Sequence, residues 1–123
     1  MNSFSFRVAE AAIADDFYPD TISTDQYEKH VGSQPPHDLP RTMSKFLAAG
    51  MPEHDVFACT GSRPAHILRL ADEVGTLAPG SCADLTVLEM NDSAAPLIDT
   101  QEETRSGGCW EARLVVRDGE VVA

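Results

Sequence analysis

The apolar pattern of this chain changes period once, between Asp72 and Gly75, and that change restricts the fold more than any other feature. Ahead of it, apolar residues recur at intervals of three and four, the spacing of a helix face. Behind it they come in short β-branched runs between turn signals, the spacing of strands. The chain is therefore read as α/β in two parts, residues 1–70 and 71–123.

Within the first part, Ser5 to Ala14 is Ala-rich, with Phe4, Val8, Ala11 and Ala12 at helical spacing, until Asp15-Asp16 and Pro19 interrupt it. Thr21 to Thr24 is a short strand candidate, because β-branched Thr and Ile favour an extended backbone, and it delivers Asp25 to its C-terminal tip. Gln26 to His37 has no period and contains Gly32, Pro35 and Pro36. A helix then starts with Asp38 as its cap and Pro40 in its first turn, stops at Gly50, and buries Leu39, Met43, Phe46 and Leu47. Two more follow, from Pro52 with Glu53 and Asp55 at the positive end, and from Ser62 or Pro64 with Ile67, Leu68 and Leu70.

In the second part Pro79-Gly80 marks a turn and Asp84 to Glu89 a strand. Asn91 to Gly108 is polar and reads as an exposed loop or weak hairpin. Leu114 to Arg117, Asp118-Gly119 and Glu120 to Val122 predict a two-residue type I′ hairpin.

Composition narrows the function classes. The net charge of −11, from 20 acidic and 9 basic residues, repels phosphate backbones, so no nucleic-acid partner is expected. No run approaches the ~20 apolar residues of a membrane span, and Met1-Asn2-Ser3-Phe4 does not begin a signal peptide. The expectation is a soluble cytoplasmic protein. Cys59, Cys82 and Cys109 are widely spaced, an odd number without a CxxC pair, and read as reduced thiols rather than a disulfide or a zinc-binding set.

Gly75-Thr76-Leu77-Ala78-Pro79-Gly80-Ser81-Cys82-Ala83-Asp84-Leu85-Thr86-Val87 resembles the GxLxPGxxADLxV segment that ends metallohydrolases of the amidohydrolase superfamily. SFSFRVAEAAI before FYPDTISTD, and DLPRTMSKFLAAGM after the loop, are similar to its amidohydrolase/deacetylase branch, near the dihydroorotase-like enzymes. The resemblance spans all but the stretch around Asn91 to Glu111. It implies a (β/α)₈ barrel with one or two divalent metals at the strand C-termini, and a small composite β-sandwich. Residues 1–70 would correspond to helix 7, strand 8 and helix 8 of the barrel, and residues 71–123 to the C-terminal strands of the sandwich.

The same resemblance implies that Asp25 is catalytic and a metal ligand. In the family the matching Asp takes a proton from a hydroxide bound to zinc or another divalent metal as it attacks an amide carbonyl. It then returns that proton to the leaving nitrogen. The other ligands would precede Met1, and a complete barrel needs about 250 residues. The chain is thus expected to be a C-terminal fragment, inactive alone, of an enzyme hydrolysing a cyclic amide or N-acyl bond of a small molecule. A non-catalytic interaction module, and a subunit complemented by an N-terminal barrel chain or by its own copies, are the alternatives.

Other candidates are weaker. His30, His37 and Asp38 follow Asp25 closely, but D-x4-H-x6-HD matches no standard ligand spacing and reads as a solvated loop lining a substrate mouth. Gln26-Tyr27 stands where the family has Leu-His, Pro35-Pro36-His37 where Val-Tyr is typical, and Arg69 where Gly is common. Asp84 is expected to be structural, Cys59 and Cys82 inert, and His54 and His66 exposed.

Overall fold

The computed structural model describes residues 3–123. Helix α1 (Phe6–Ala14) is followed by a single 3₁₀ turn (Glu28–His30) and helices α2 (Leu39–Ala48), α3 (Glu53–Thr60) and α4 (Ser62–Ile67). Strands β1 (Leu85–Asn91), β2 (Leu97–Ile98), β3 (Thr104–Arg105), β4 (Cys109–Arg117) and β5 (Glu120–Val121) complete it. None of the described helices is long and apolar enough to cross a membrane.

Strand β4 lies between β1 and β5 in an antiparallel sheet, with a register shift between Val87 and Leu88. The β4–β5 turn is the expected one: Arg117 pairs with Glu120, and Asp118 and Gly119 have φ of 50° and 81°. Asp84 is structural, as expected. Its Oδ1 accepts the Asp118 N–H at 2.7 Å and so ties the turn to the start of β1. The stretch from Asn91 to Gly108 contains the short β2–β3 ladder, and it is not wholly exposed, since Leu97 and Asp99 are buried.

Two apolar clusters hold these layers together. Ile22, Met43, Met51, Val56 and Cys59 form one, with Leu88 and Trp110 of the sheet packed against it. Phe6, Ala49, Leu97 and Cys109 form the other, which joins α1 and the end of α2 to β2 and β4. Helix α2 is central to both. Its buried residues are Met43, Ser44 and Lys45, whereas Leu39, Phe46 and Leu47 of the expected stripe are only half-buried. Three consecutive buried positions cover more than half of a helix's circumference, so α2 is enclosed over much of its surface by the core clusters and the strands packed on them. Ser44 is accommodated because its Oγ accepts the Trp110 N–H at 2.7 Å and donates to the Pro40 carbonyl at 2.8 Å.

The N-terminus of α1 is capped from far along the chain. Ser5, in the local capping position, makes no side-chain cap bond. Instead the Phe6 N–H donates to Asp99 Oδ2 at 2.8 Å. Asp99 Oδ1 accepts the N–H groups of Gln101 and Glu103 at 2.8 and 2.9 Å. Burial alone would raise the pKa of Asp99, but these three backbone donors, with Arg105, hold it below the ordinary value of 3.8.

Three helices end in the same paired backbone bonds with a left-handed residue after the cap. At α1 that residue is Asp16 (φ 56°), at α2 Gly50 (φ 99°), and at α4 Arg69 (φ 60°). The α4 pair is Leu70 N–H to the Ala65 carbonyl at 2.8 Å and Arg69 N–H to that of His66 at 3.0 Å. Glycine suits this geometry because it has no Cβ to meet the following carbonyl, Asp tolerates it, and Arg is strained by it. Gly75 is constrained differently: a Cβ there would lie 2.7 Å from both the Ala65 Cβ and the Gly61 carbonyl oxygen. The second part of the chain can therefore pass over the α3–α4 corner only as glycine.

Two outcomes follow from these contacts. Arg69→Gly is expected to stabilise the chain by about 1 kcal/mol in urea unfolding, by removing left-handed strain at an exposed site. Asp99→Asn should lower the urea midpoint, unlike Asp92→Asn on the exposed loop. Because the folded pKa of Asp99 is depressed, its contribution is complete above pH 3.8 and is lost as pH falls through the folded value. The gap between wild type and Asp99→Asn should accordingly close in acid.

Candidate active site

Asp25 follows a segment anchored by one buried side chain. Ile22 packs into the first core cluster, and its N–H donates to the Cys59 carbonyl of α3 at 3.0 Å. Thr21 to Thr24, expected as a strand, forms no ladder among the described residues, because none of the five strands lies beside it. Extended backbone becomes a strand only when a neighbour takes its hydrogen bonds. The segment nevertheless delivers Asp25 to a turn. Asp25 has a φ of 52°, and the Gln26 N–H donates back to Thr24 Oγ1 at 3.1 Å.

The loop beyond folds its histidines against that turn. His37 Nε2 lies 2.6 Å from the Thr24 carbonyl oxygen. A carbonyl only accepts, so Nε2 carries the proton in this contact. The His30 ring stacks on His37 at 4.2 Å between centroids, and the Tyr27 ring lies 4.3 Å from His30 on another side. Burial, then the neighbouring His37, push the pKa of His30 below its usual value, while Asp25 opposes them. Asp38 accepts the Arg41 N–H at 2.9 Å as the cap of α2.

Asp25, Thr24 and His37 face a cavity of about 200 Å³ whose other walls include Phe4, Thr42 and Lys45. A second cavity of about 190 Å³ adjoins it through His37, Thr42 and Lys45, and is lined also by His30, Asp38 and Arg41. The structure thus brings Asp25 and His37 to one cavity and sets His30 against His37. His54 and His66 are exposed and stand apart, as does the exposed Cys82.

Whether these donors suit a divalent metal follows from what each already does. Asp25 offers one carboxylate, His37 Nε2 is committed to the Thr24 carbonyl, His30 Nδ1 faces the Tyr27 N–H at 3.4 Å, and Asp38 caps a helix. Among the described residues no three His, Cys, Asp or Glu side chains assemble where they could hold a metal ion. The set does not fit a metal by itself.

Sequence reasoning missed Lys45. It is 7 % exposed, yet neither Lys45 nor Arg41 has an ion pair among the described residues. Lys45 Nζ lies over the Phe4 ring, 5.7 Å from its centroid. Burial, then the adjacent Arg41, push its pKa below 10.5, against the pull of Asp99. The available signal was the placement of Arg41 and Lys45 one helical turn apart, flanking Met43. Since the unfolded pKa exceeds the folded one, the burial penalty is present at neutral pH and fades as pH rises toward 10.5. Lys45→Met, of similar volume, should therefore melt above wild type at pH 7, with the difference shrinking in alkali.

Known proteins resemble this chain in sequence and in fold. The model of the amidohydrolase family matches residues 5–122. A deacetylase of Agrobacterium fabrum is 38% identical over 122 residues, which are 98% of this chain and 30% of that protein. A deacetylase of Brucella anthropi is 36% identical, again over 98% of this chain and 30% of its own length. Among solved structures, a dihydroorotase superposes with a TM-score of 0.83 at 38% identity, covering 98% of this chain and 32% of that one. An adenine deaminase does so with a TM-score of 0.86 at 29% identity, covering 98% and 33%. The chain spans about a third of the length of the relatives it matches.

Proposed function

The chain belongs to the amidohydrolase family, and from that premise we infer that it contributes the catalytic carboxylate Asp25 to a hydrolase of a C–N bond, cyclic amide or N-acyl, in a small molecule. The observation that carries this reading is the position of Asp25. It stands at the tip of an anchored extended segment and opens on a cavity, where the family resemblance sets its catalytic aspartate. On this reading residues 1–70 are the last strand and flanking helices of a (β/α)₈ barrel, and residues 71–123 belong to the companion β domain. Relatives named as deacetylases, and neighbours named as a dihydroorotase and an adenine deaminase, support C–N hydrolysis as the reaction class.

The family's divalent metal would polarise the scissile carbonyl and acidify water. The donors present do not make such a site, and Asp25 alone is not a ligand set. What this chain supplies is proton handling. The Asp25 carboxylate takes a proton from water as the oxygen attacks the carbonyl carbon. It hands the proton to the nitrogen as the C–N bond breaks, and so ends unchanged. His37, held by the Thr24 carbonyl, fixes the backbone immediately before Asp25 and so positions it.

The remaining active-site groups come, in this proposal, from barrel polypeptide beyond these residues, and the surface is suited to meet it. Val8, Phe17, Leu77 and Val87 are exposed apolar side chains in a strongly acidic chain. The test is reconstitution with a polypeptide carrying the other strands of a family barrel, assayed on N-acetyl and cyclic amides. Activity should arise only on mixing, and Asp25→Asn should lower kcat by about 10²- to 10⁴-fold without loss of the complex. A complex that forms but never hydrolyses would favour the interaction-module reading. Full activity in Asp25→Asn would remove Asp25 from the mechanism.

A further inference from the structure

We propose that Arg41 and Lys45 on α2 form a receiving site for a small carboxylate, so that the molecule processed beside Asp25 carries a free carboxyl group. The identification of that molecule as a substrate rests on the reading of Asp25 above; the binding site does not.

Of the two groups, Lys45 is in the less common setting. More than nine-tenths of the residue is buried, and its ammonium has neither a hydrogen bond nor an ion pair within the described residues. Burying an ammonium without a counter-charge is costly, and a long flexible stem normally lets such a group reach water. Here the stem is held on the enclosed face of α2, and Lys45 lines both cavities instead. Arg41, four residues earlier, lines the second cavity beside it. Its guanidinium makes only long contacts, 3.4 Å to the Pro96 carbonyl and 3.8 Å to Cys109 Sγ.

A shortage of acids does not explain this. The chain has 20 acidic residues to 9 basic ones, and Arg63, Arg105 and Arg113 each take carboxylate partners. The one carboxylate lining the second cavity, Asp38, points Oδ1 at the Arg41 N–H as the helix cap. Asp99 is occupied by its backbone donors. Two adjacent cations are thus left facing a space of about 190 Å³, room for a few heavy atoms. The planar fork of Arg beside the point charge of Lys matches the two oxygens of a carboxylate. Lys45 also borders the Asp25 cavity, so a bound carboxylate and the reacting bond would belong to one small molecule.

The experiment is calorimetric titration of the 123-residue chain with N-acetylglycinate, N-acetylglycinamide and inorganic phosphate. N-acetylglycinate is expected to bind, and the uncharged amide not to. Lys45→Met and Arg41→Gln should each weaken binding at least about tenfold, the scale of one lost charge-assisted hydrogen bond, while Lys45→Arg retains it. Circular dichroism melts establish that each variant is folded, and Arg41→Gln serves if Lys45→Met is not. No binding of N-acetylglycinate, equal binding of the amide, or undiminished binding by both folded variants would overturn the site. Tighter binding of phosphate than of N-acetylglycinate would overturn the carboxylate assignment. Asp25→Asn should bind at least as well as wild type. That result keeps the anion site even if reconstitution removes Asp25 from catalysis.

Discussion

One buried carboxylate carries a large share of this architecture. Asp99 accepts the first N–H of α1 across 93 residues of sequence, and the Ser5 hydroxyl, in the local capping position, is itself buried without a hydrogen-bond partner among the described residues. Arg105 adds a second tie by pairing with Glu10 of α1 at 2.6 and 3.0 Å and lying over the Phe6 ring. Together they fix where Phe4 sits, edge-on to both Phe6 and Phe46. Phe4 is a wall of the Asp25 cavity. The candidate site is therefore shaped by a contact between the two ends of the chain, neither of which contains Asp25.

Helix α2 transmits the same constraint from another side. The Ser44 hydroxyl binds the Trp110 N–H, so β4 cannot slide along α2 without leaving a buried donor unpaired. With β4 held there and the first cluster packed against α2 and the sheet, Lys45 is buried and borders the two cavities. Its unpaired charge follows from this enclosure. Arg41, a turn earlier, reaches the edge of the C-terminal strands and is only half-buried.

What was legible in the sequence was local chemistry. The Asp38 cap, the stop at Gly50 and the Asp118-Gly119 turn each depend on a few adjacent residues, and each stands where expected. So does Asp84, whose role needs only the hairpin it ties. Thr21 to Thr24 shows the opposite case, for β-branched residues favour an extended chain but cannot provide the neighbour that makes it a strand. Asp99 and Lys45 were missed for a related reason. A carboxylate in a polar stretch reads as exposed until the helix terminus it caps is brought to it. A lysine in an amphipathic helix reads as solvated until a strand closes over it. Arg69 was the exception, a departure from the family's glycine whose cost became visible as a left-handed φ.

The two ends of the candidate site differ in kind, and that difference organises its chemistry. Asp25 is exposed and negative, on a turn set by the Thr24–His37 contact, free to meet groups from outside these residues. Lys45 is buried and positive, on a helix packed on both faces. A rigid cation is suited to holding a substrate in place, because little is reorganised when the anion arrives. An exposed carboxylate is suited to exchanging protons with water, because both of its states are solvated. On the two proposals, orientation would fall to the packed helix and proton transfer to the turn, within one small cavity. On the carboxylate-site proposal, a chain this acidic can admit an anion because Arg41 and Lys45, without ion pairs among the described residues, face the same cavity.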